Sequence, residues 1–354
     1  MSSPYNDKHR PLQIALVGAG LVGQRHAKVI LELNDAVLVG IVDTADAAID
    51  YANNLGIDCF TDLDALLEAK AVDGVVIATP TTLHVEQGLQ CVAANLPSLI
   101  EKPIGVTTQE SQLLVNASNE HDVPIIVGHH RRHNPLIHEV KRCIDSGELG
   151  DIRSIHSQCW FYKPDSYFEI APWRTEPGAG PISVNLVHDV DLIRYFCGEV
   201  THVQAQRAPS VRGHQNEDLA TALLTLDNGA LATITVSDSV VSPWSWELTS
   251  AEYPIYPNTS ESCYRIGGNK GALSVPDLTL WSHRETPDWW SPIESKTLSF
   301  TPKDPLLNQM QHFLRVIRGE EKPLVSALEG HRSLQIIEAI QAASLTGERV
   351  EVNE

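Results

Sequence analysis

Leu12-Gln13-Ile14-Ala15-Leu16-Val17-Gly18-Ala19-Gly20-Leu21-Val22-Gly23 sets the fold of the first half of the chain. The six residues before the first glycine form a short apolar run that ends abruptly, the pattern of a parallel strand buried on both faces. Helical spacing begins straight after the last glycine and runs from Leu21 to Leu33. A glycine loop between a strand and a helix suits a dinucleotide. Gly18 permits the tight turn, Gly20 lets backbone approach a pyrophosphate, and Gly23 lets helix pack closely on strand. The pyrophosphate then rests on amides at the helix N-terminus.

A second β-branched run, Val37 to Val42, ends in Asp43, about 20 residues past Gly23, the offset at which an acid meets the adenosine ribose. Its carboxylate accepts from ribose hydroxyls and repels a 2′-phosphate, and Thr44 to Asp50 contains no Arg or Lys. The expected cofactor is therefore NAD.

Further along, helix and strand alternate. Asp46 to Leu55 and Asp62 to Ala69 read as helices, Val72 to Ala78 as a strand, and Leu83 to Ala94 as a helix. Ser98 to Glu101 reads as a strand, Thr107 to Glu120 as a helix, and Pro124 to Val127 as a strand. That alternation predicts an α/β fold with a doubly wound Rossmann sheet.

With 354 residues, the chain is too long for one ordinary core, and two domains are expected: an NAD-binding domain over 1–128, and a substrate-binding and oligomerisation domain over 129–354 whose C-terminal helix packs back towards the first domain. A formal charge of −19 speaks against a nucleic-acid partner. No apolar run reaches the roughly 20 residues that span a bilayer. Met1 to Pro11 is polar, without the apolar stretch of a signal peptide, and reads as a lead-in to a cytoplasmic enzyme. Without such a signal the sequon Asn258-Thr259-Ser260 carries no meaning. The six cysteines, at 59, 91, 143, 159, 197 and 263, show no CxxC, so reduced and mostly buried thiols are expected.

Ordered motifs follow the glycine loop. They are Ala78-Thr79-Pro80-Thr81-Thr82-Leu83-His84, Glu101-Lys102-Pro103 and Gly128-His129-His130-Arg131-Arg132-His133-Asn134-Pro135. Further on come Pro172-Trp173-Arg174, Gly178-Ala179-Gly180 and His188-Asp189-Val190-Asp191. In this order the chain resembles the Gfo/Idh/MocA family of oxidoreductases over nearly its whole length. The resemblance implies a C-terminal α+β domain with an open, mainly antiparallel sheet, used for contacts in a homodimer or homotetramer. It implies Lys102 and His188 as the catalytic pair. It also implies cofactor contacts from Gly18, Gly20, Leu21, Val22, Gly23, Asp43, Thr79, Pro80, His84, Glu101 and Lys102, and substrate contacts from Arg132, Trp173, Arg174, Asn185 and His188.

Lys102 also stands out on chemistry alone, because the carboxyl end of a parallel strand is where ligands meet a doubly wound sheet. There an ammonium can polarise a substrate oxygen, or simply pair with Glu101 at the surface. His188 and Asp191 are three residues apart, on one face of a helix over Asn185 to Phe196 that ends at Gly198. A histidine with an acid one turn on is a reasonable proton acceptor; a lone one is more often structural. The chain departs from the family's common pattern in one place. Val184 stands where many members have an aspartate four residues before the histidine, and its neighbour Asn185 cannot act as a base near neutral pH.

The helix over Pro135 to Ser146, the strand over Leu149 to Trp160 and a C-terminal helix over Glu329 to Leu345 read as scaffold. All seven tryptophans lie beyond residue 150. The stretch Ser242 to Glu247, with Tyr253 and Tyr256, reads as a long loop whose rings suit sugar C–H faces. His129, His130 and His133 have no Cys or acid at ligand spacing, so no metal is expected. The expected activity is NAD-dependent oxidation of a secondary alcohol on a sugar, inositol or related polyol. Alternatives within the resemblance are an NAD-dependent glycosidase with transient oxidation and a ligand-sensing regulator.

Overall fold

The computed structural model describes residues 10–352, so Met1 to His9 of the expected lead-in lie outside the described residues. The apolar run ahead of the glycines forms β1 (Leu12–Val17), followed by β2 (Ala36–Val42), β3 (Cys59–Phe60), β4 (Gly74–Ile77), β5 (Ser98–Ile100) and β6 (Ile125–Val127). All pair in parallel, in the order β3-β2-β1-β4-β5-β6. The two-residue β3 was not foreseen, and β4 is shorter than the apolar run that contains it. Helices α1 (Leu21–Glu32), α2 (Asp46–Leu55), α3 (Leu63–Ala69), α4 (His84–Ala93) and α5 (Thr108–His121) fill the intervals. Asp62 and Thr107 cap α3 and α5, accepting from Ala65 N at 2.8 Å and Glu110 N at 3.2 Å.

Alternation along β1 shows why the sheet is covered on both faces. Leu12, Ile14 and Leu16 enter a cluster with Ala27 and Ile30 of α1 and Ala48 and Ala52 of α2. Ala15 and Val17 enter another with Leu66 of α3, Cys91 of α4 and Leu114 of α5. The first cluster also takes Leu306, Met310, Phe313 and Leu314 from a helix over Pro305–Ile317. A Cβ on Gly74 would stand 3.0 Å from the Phe313 ring, so the small residue in β4 makes room for that helix.

The second half builds a nine-stranded sheet. In chain order its strands are β7 (Ile152–Trp160), β8 (Val200–Pro209), β9 (Glu217–Leu226), β10 (Leu231–Ser237), β11 (Tyr264–Gly268), β12 (Gly271–Val275), β13 (Thr279–Ser282), β14 (Glu294–Thr297) and β15 (Val350–Glu351). They lie in the order β14-β13-β12-β11-β7-β10-β9-β8-β15, antiparallel except for β10 against β7. The helices of this half and of the tail are α6 (Pro135–Asp145), α7 (Asp165–Glu169), α8 (Pro181–Val184), α9 (Leu186–Cys197), α10 (Trp246–Thr249), α11 (Pro305–Ile317, met above) and α12 (Ala327–Thr346). One face of the sheet buries Ala222, Leu224, Ile234 and Leu273 with Leu136 and Val140 of α6 and Leu186, Val190 and Ile193 of α9. The opposite face keeps Leu223, Leu231 and Trp281 exposed.

The chain divides into Met1–His133 with Asp304–Leu334, and Asn134–Lys303 with Gln335–Glu354. The first unit thus runs a few residues past the expected boundary at 128 and takes back a segment from the tail. Apolar side chains of α11 that would otherwise face water cover the parallel sheet, and this holds the segment there. No cysteine is in a disulfide. No described helix is long and apolar enough to cross a membrane.

Candidate cofactor and active-site residues

The glycine loop has the geometry expected from its sequence. Gly18 sits at φ +88°, a conformation that L side chains rarely adopt, and its N–H donates to Val42 O at 2.8 Å. A Cβ there would lie 2.7 Å from Ala78 C, so the loop after β4 packs directly on the glycine turn. At Gly23 a Cβ would overlap the Gly18 carbonyl oxygen. Above Gly20 there is open space, with no protein atom within 4 Å of where a Cβ would stand.

Gly20 is the N-cap of α1 and offers no side-chain acceptor, and the first turn holds no acid. The leading amides of α1 therefore present donors that no side-chain cap occupies, with the positive end of the helix dipole behind them. Leu21 and Val22 are 85% and 42% exposed beside them. Asp43 Oδ2 accepts from Ala19 N at 2.8 Å and Oδ1 from Ala45 N at 2.9 Å, which pins the carboxylate to the edge of the glycine loop. Open space over Gly20, uncapped amides and a fixed acid fit a dinucleotide.

The Glu101-Lys102-Pro103 turn is built from inside. Glu101 is buried, and its Oε1 lies 2.7 Å from His26 Nε2 on α1, while Oε2 accepts from Lys102 N at 3.2 Å. Burial pushes this carboxyl up, but the His26 hydrogen bond and the charges of His26, His130 and Lys102 outweigh it and hold the group at about 2. Gly128 lets the chain after β6 lie against Glu101, since a Cβ there would stand 2.9 Å from its carboxyl carbon. The helix that opens at the glycine loop and the turn that carries Lys102 are thus joined through one buried pair. Sequence reasoning did not single out His26.

Two residues expected as ligand contacts also tie the protein together internally. His84 is buried and spends both ring nitrogens on the chain, 2.9 Å from Thr79 O and 2.8 Å from Pro103 O. It ties the loop after β4 to the loop after β5, while Thr79 Oγ1 bonds Gln87 Oε1 at 2.6 Å and Pro80 remains exposed. Arg132 is 3% exposed and forms an ion pair with Glu329 at 2.9 Å, a link within the first unit. His129 and His133 are likewise buried, the latter against His312 with ring centroids 5.2 Å apart.

In the second unit, α9 carries His188, which is 8% exposed, and Asp189 and Asp191, both fully buried. Asp189 accepts from Ser157 Oγ at 3.1 Å and from the Tyr264 hydroxyl, so it anchors α9 to the sheet. Arg174 stacks 4.0 Å from the Tyr167 ring centroid and donates to Tyr167 O at 2.7 Å, and Trp173 is half exposed beside it. Asn185 accepts from Lys163 Nζ at 2.9 Å. Lys163 in turn faces Asp238 at 3.5 Å, and Arg212 donates to Asp238 Oδ1 at 3.0 Å. Burial pushes the Lys163 ammonium down against the pull of Asp238. None of Lys163, Asp238 and Arg212 was foreseen, because only the fold brings them together.

The aromatic loop between β10 and β11 contains the short α10 and packs on β11 and the end of β7. Trp246 is buried against Tyr264, Trp160 meets Trp244 at 5.6 Å, and Tyr256 meets Phe161 at 5.2 Å.

A chain with a doubly wound sheet bearing this loop and acid, and with a second unit built on an open sheet, has the make-up of an NAD-binding oxidoreductase. Residues 12–129 match the oxidoreductase family, NAD-binding Rossmann fold, and residues 137–274 match the GFO/IDH/MocA C-terminal domain. The chain belongs to the Gfo/Idh/MocA family and is an NAD-dependent oxidoreductase. It is 30% identical to the rhizopine catabolism protein MocA of Rhizobium meliloti over 188 residues, 53% of this chain and 57% of that protein. To inositol 2-dehydrogenase 2 of Saccharopolyspora erythraea it is 26% identical over 348 residues, 95% of this chain and 94% of the relative. The crystal structure of the WlbA dehydrogenase from Bordetella pertussis, in complex with NADH and UDP-GlcNAcA, superposes with a TM-score of 0.78 at 25% identity, covering 98% of this chain and all of that one.

Proposed function

We propose that this oxidoreductase oxidises a secondary alcohol of a sugar, inositol or related polyol, with Lys102 and His188 as its catalytic pair. The observation that carries the reading is the placement of Lys102. It follows β5 at the carboxyl edge of the sheet that bears the glycine loop, on a turn fixed through Glu101 and His26 to α1. NAD, when bound, supplies the nicotinamide carbon that accepts the hydride. Gly18, Gly20, Gly23 and the leading amides of α1 hold its pyrophosphate, and Asp43 takes the ribose hydroxyls. His188 takes the hydroxyl proton as the carbinol loses its hydride, and Lys102 stabilises the negative charge gathering on that oxygen. The converse assignment of the two roles uses the same atoms. Inositol 2-dehydrogenase among the relatives supports the substrate class.

Screening polyols, aldoses and sugar acids for NADH formation by absorbance tests the reading. Turnover of at least one class is the expected result, and bound NAD with no net turnover of any would overturn it. The exposed sheet face with Leu223, Leu231 and Trp281 supports a homodimer or homotetramer, checked by light scattering, where a clean monomer mass would refute it. Six cysteines without a disulfide support a reducing, cytoplasmic address.

A further inference from the structure

Asparagine is favoured at a helix N-cap because its oxygen accepts from an amide of the first turn. Asn185 occupies the N-cap of α9 and makes no such bond. Its Oδ1 is taken by Lys163 Nζ at 2.9 Å. An ammonium only donates, so the orientation of the amide follows from chemistry: oxygen towards the lysine, NH2 away from it.

Lys163 cannot easily release this hold. It is 5% exposed, with Nζ 3.5 Å from Asp238 and 5.1 Å from the Tyr167 ring centroid. Its backbone N–H donates to Asp238 O at 2.9 Å, and its carbonyl accepts from Arg212 at 2.8 Å. The Asn185 Nδ2 donates to no group among the described residues, yet it is not sealed from solvent. The Asn185 carbonyl accepts from His188 N at 3.4 Å, so Asn185 stands one turn ahead of the histidine.

We propose that Lys163 is a positioning residue that holds the Asn185 NH2 as a fixed donor ahead of His188, and that this donor selects sugar acids over neutral polyols. The proposal rests on the reading of His188 as a group that meets substrate. A carboxylate in this position would welcome a hydroxyl and repel an acid. A fixed N–H donates to either but favours the acid, because a hydrogen bond to an ionised acceptor is shorter and roughly twice as strong as one to a neutral oxygen. Preorganisation adds to the preference, since the amide cannot turn its oxygen outward without leaving a buried ammonium short of a partner.

The test is calorimetric titration of the NADH-loaded protein with D-glucuronate and D-galacturonate against D-glucose and D-galactose. The acids are expected to bind about tenfold or more tighter than their neutral counterparts. Asn185→Asp reverses the preference, Lys163→Met erodes it by freeing the amide, and Lys163→Arg retains most of it. In turnover the loss falls on KM for acids rather than on kcat. Equal affinity for acid and neutral sugar, failure of the acids to bind, or an unchanged preference in Asn185→Asp would overturn the proposal. Thermal melts run beside each variant, and if Lys163→Met fails to fold, Asn185→Asp and Lys163→Arg still decide. NADH formation is scored separately. Selective acid binding without turnover refutes the catalytic reading alone, and turnover without acid preference refutes the selection alone.

Discussion

Gly20→Ala separates a glycine kept for the fold from one kept for a ligand. Gly20 lies at φ −68° and ψ −169°, which alanine adopts without strain, and no protein atom lies within 4 Å of the new Cβ. On the free protein the substitution is therefore neutral or stabilising by about 0.4–1 kcal/mol, through the reduced freedom of the unfolded chain. With cofactor the methyl stands in the gap through which a pyrophosphate reaches the α1 amides. Overpacking of about 1–3 kcal/mol corresponds to roughly 5- to 150-fold weaker binding. Gly18→Ala is the contrast, because it must hold φ +88° and brings Cβ to 2.7 Å from Ala78 C and O. That variant loses stability as well, by about 2–5 kcal/mol. Thermal melts and NADH fluorescence titration read the two quantities. A Gly20→Ala protein with normal melting and normal NADH affinity would refute the loop as the pyrophosphate site.

Asp43→Ser with Thr44→Arg moves preference from NAD towards NADP, by about 10- to 100-fold for a charge-assisted hydrogen bond lost, as measured by paired titrations; unchanged preference removes Asp43 from the ribose. Because Asp43 also accepts from Ala19 N and Ala45 N, the same variant weakens NAD binding through a looser glycine loop. Glu101 is held at about 2, below the ordinary 4.5, so its contribution is complete above about 4.5 and is lost as pH falls through about 2. The loss is on the order of 3 kcal/mol, and denaturant unfolding across that range shows a smaller slope in Glu101→Gln than in the parent protein.

The first unit was legible because its signals are local: apolar runs of strand length, glycines at fixed offsets and helical periodicity between them. Even there, α11 was missed, although Asp304-Pro305 is a recognisable N-cap with proline at N1 and Leu306, Met310 and Phe313 follow at helical spacing. What sequence did not convey is that this helix returns to cover a sheet that begins at residue 12. The site divides in the same way. Glycine loop, Asp43 and Lys102 sit at strand ends that periodicity marks, whereas His26 meets Glu101 across 75 residues and Lys163 meets Asn185 across 22. Arg132 stands in a motif that sequence marks, but its pairing with Glu329, a partner from the tail, appears only in the fold.

Hydride transfer by Lys102→Met and His188→Ala, with NAD affinity titrated in parallel, tests the central claim. On the proposed reading the glycine loop and Asp43 hold the cofactor, so affinity is expected to stay near that of the parent protein, while turnover falls by roughly 10²–10⁴-fold in each variant. In the double variant the losses do not add, as expected of groups acting on one oxygen. Near-normal rates in both single variants, with the protein folded and NAD bound, would contradict the assignment of this pair.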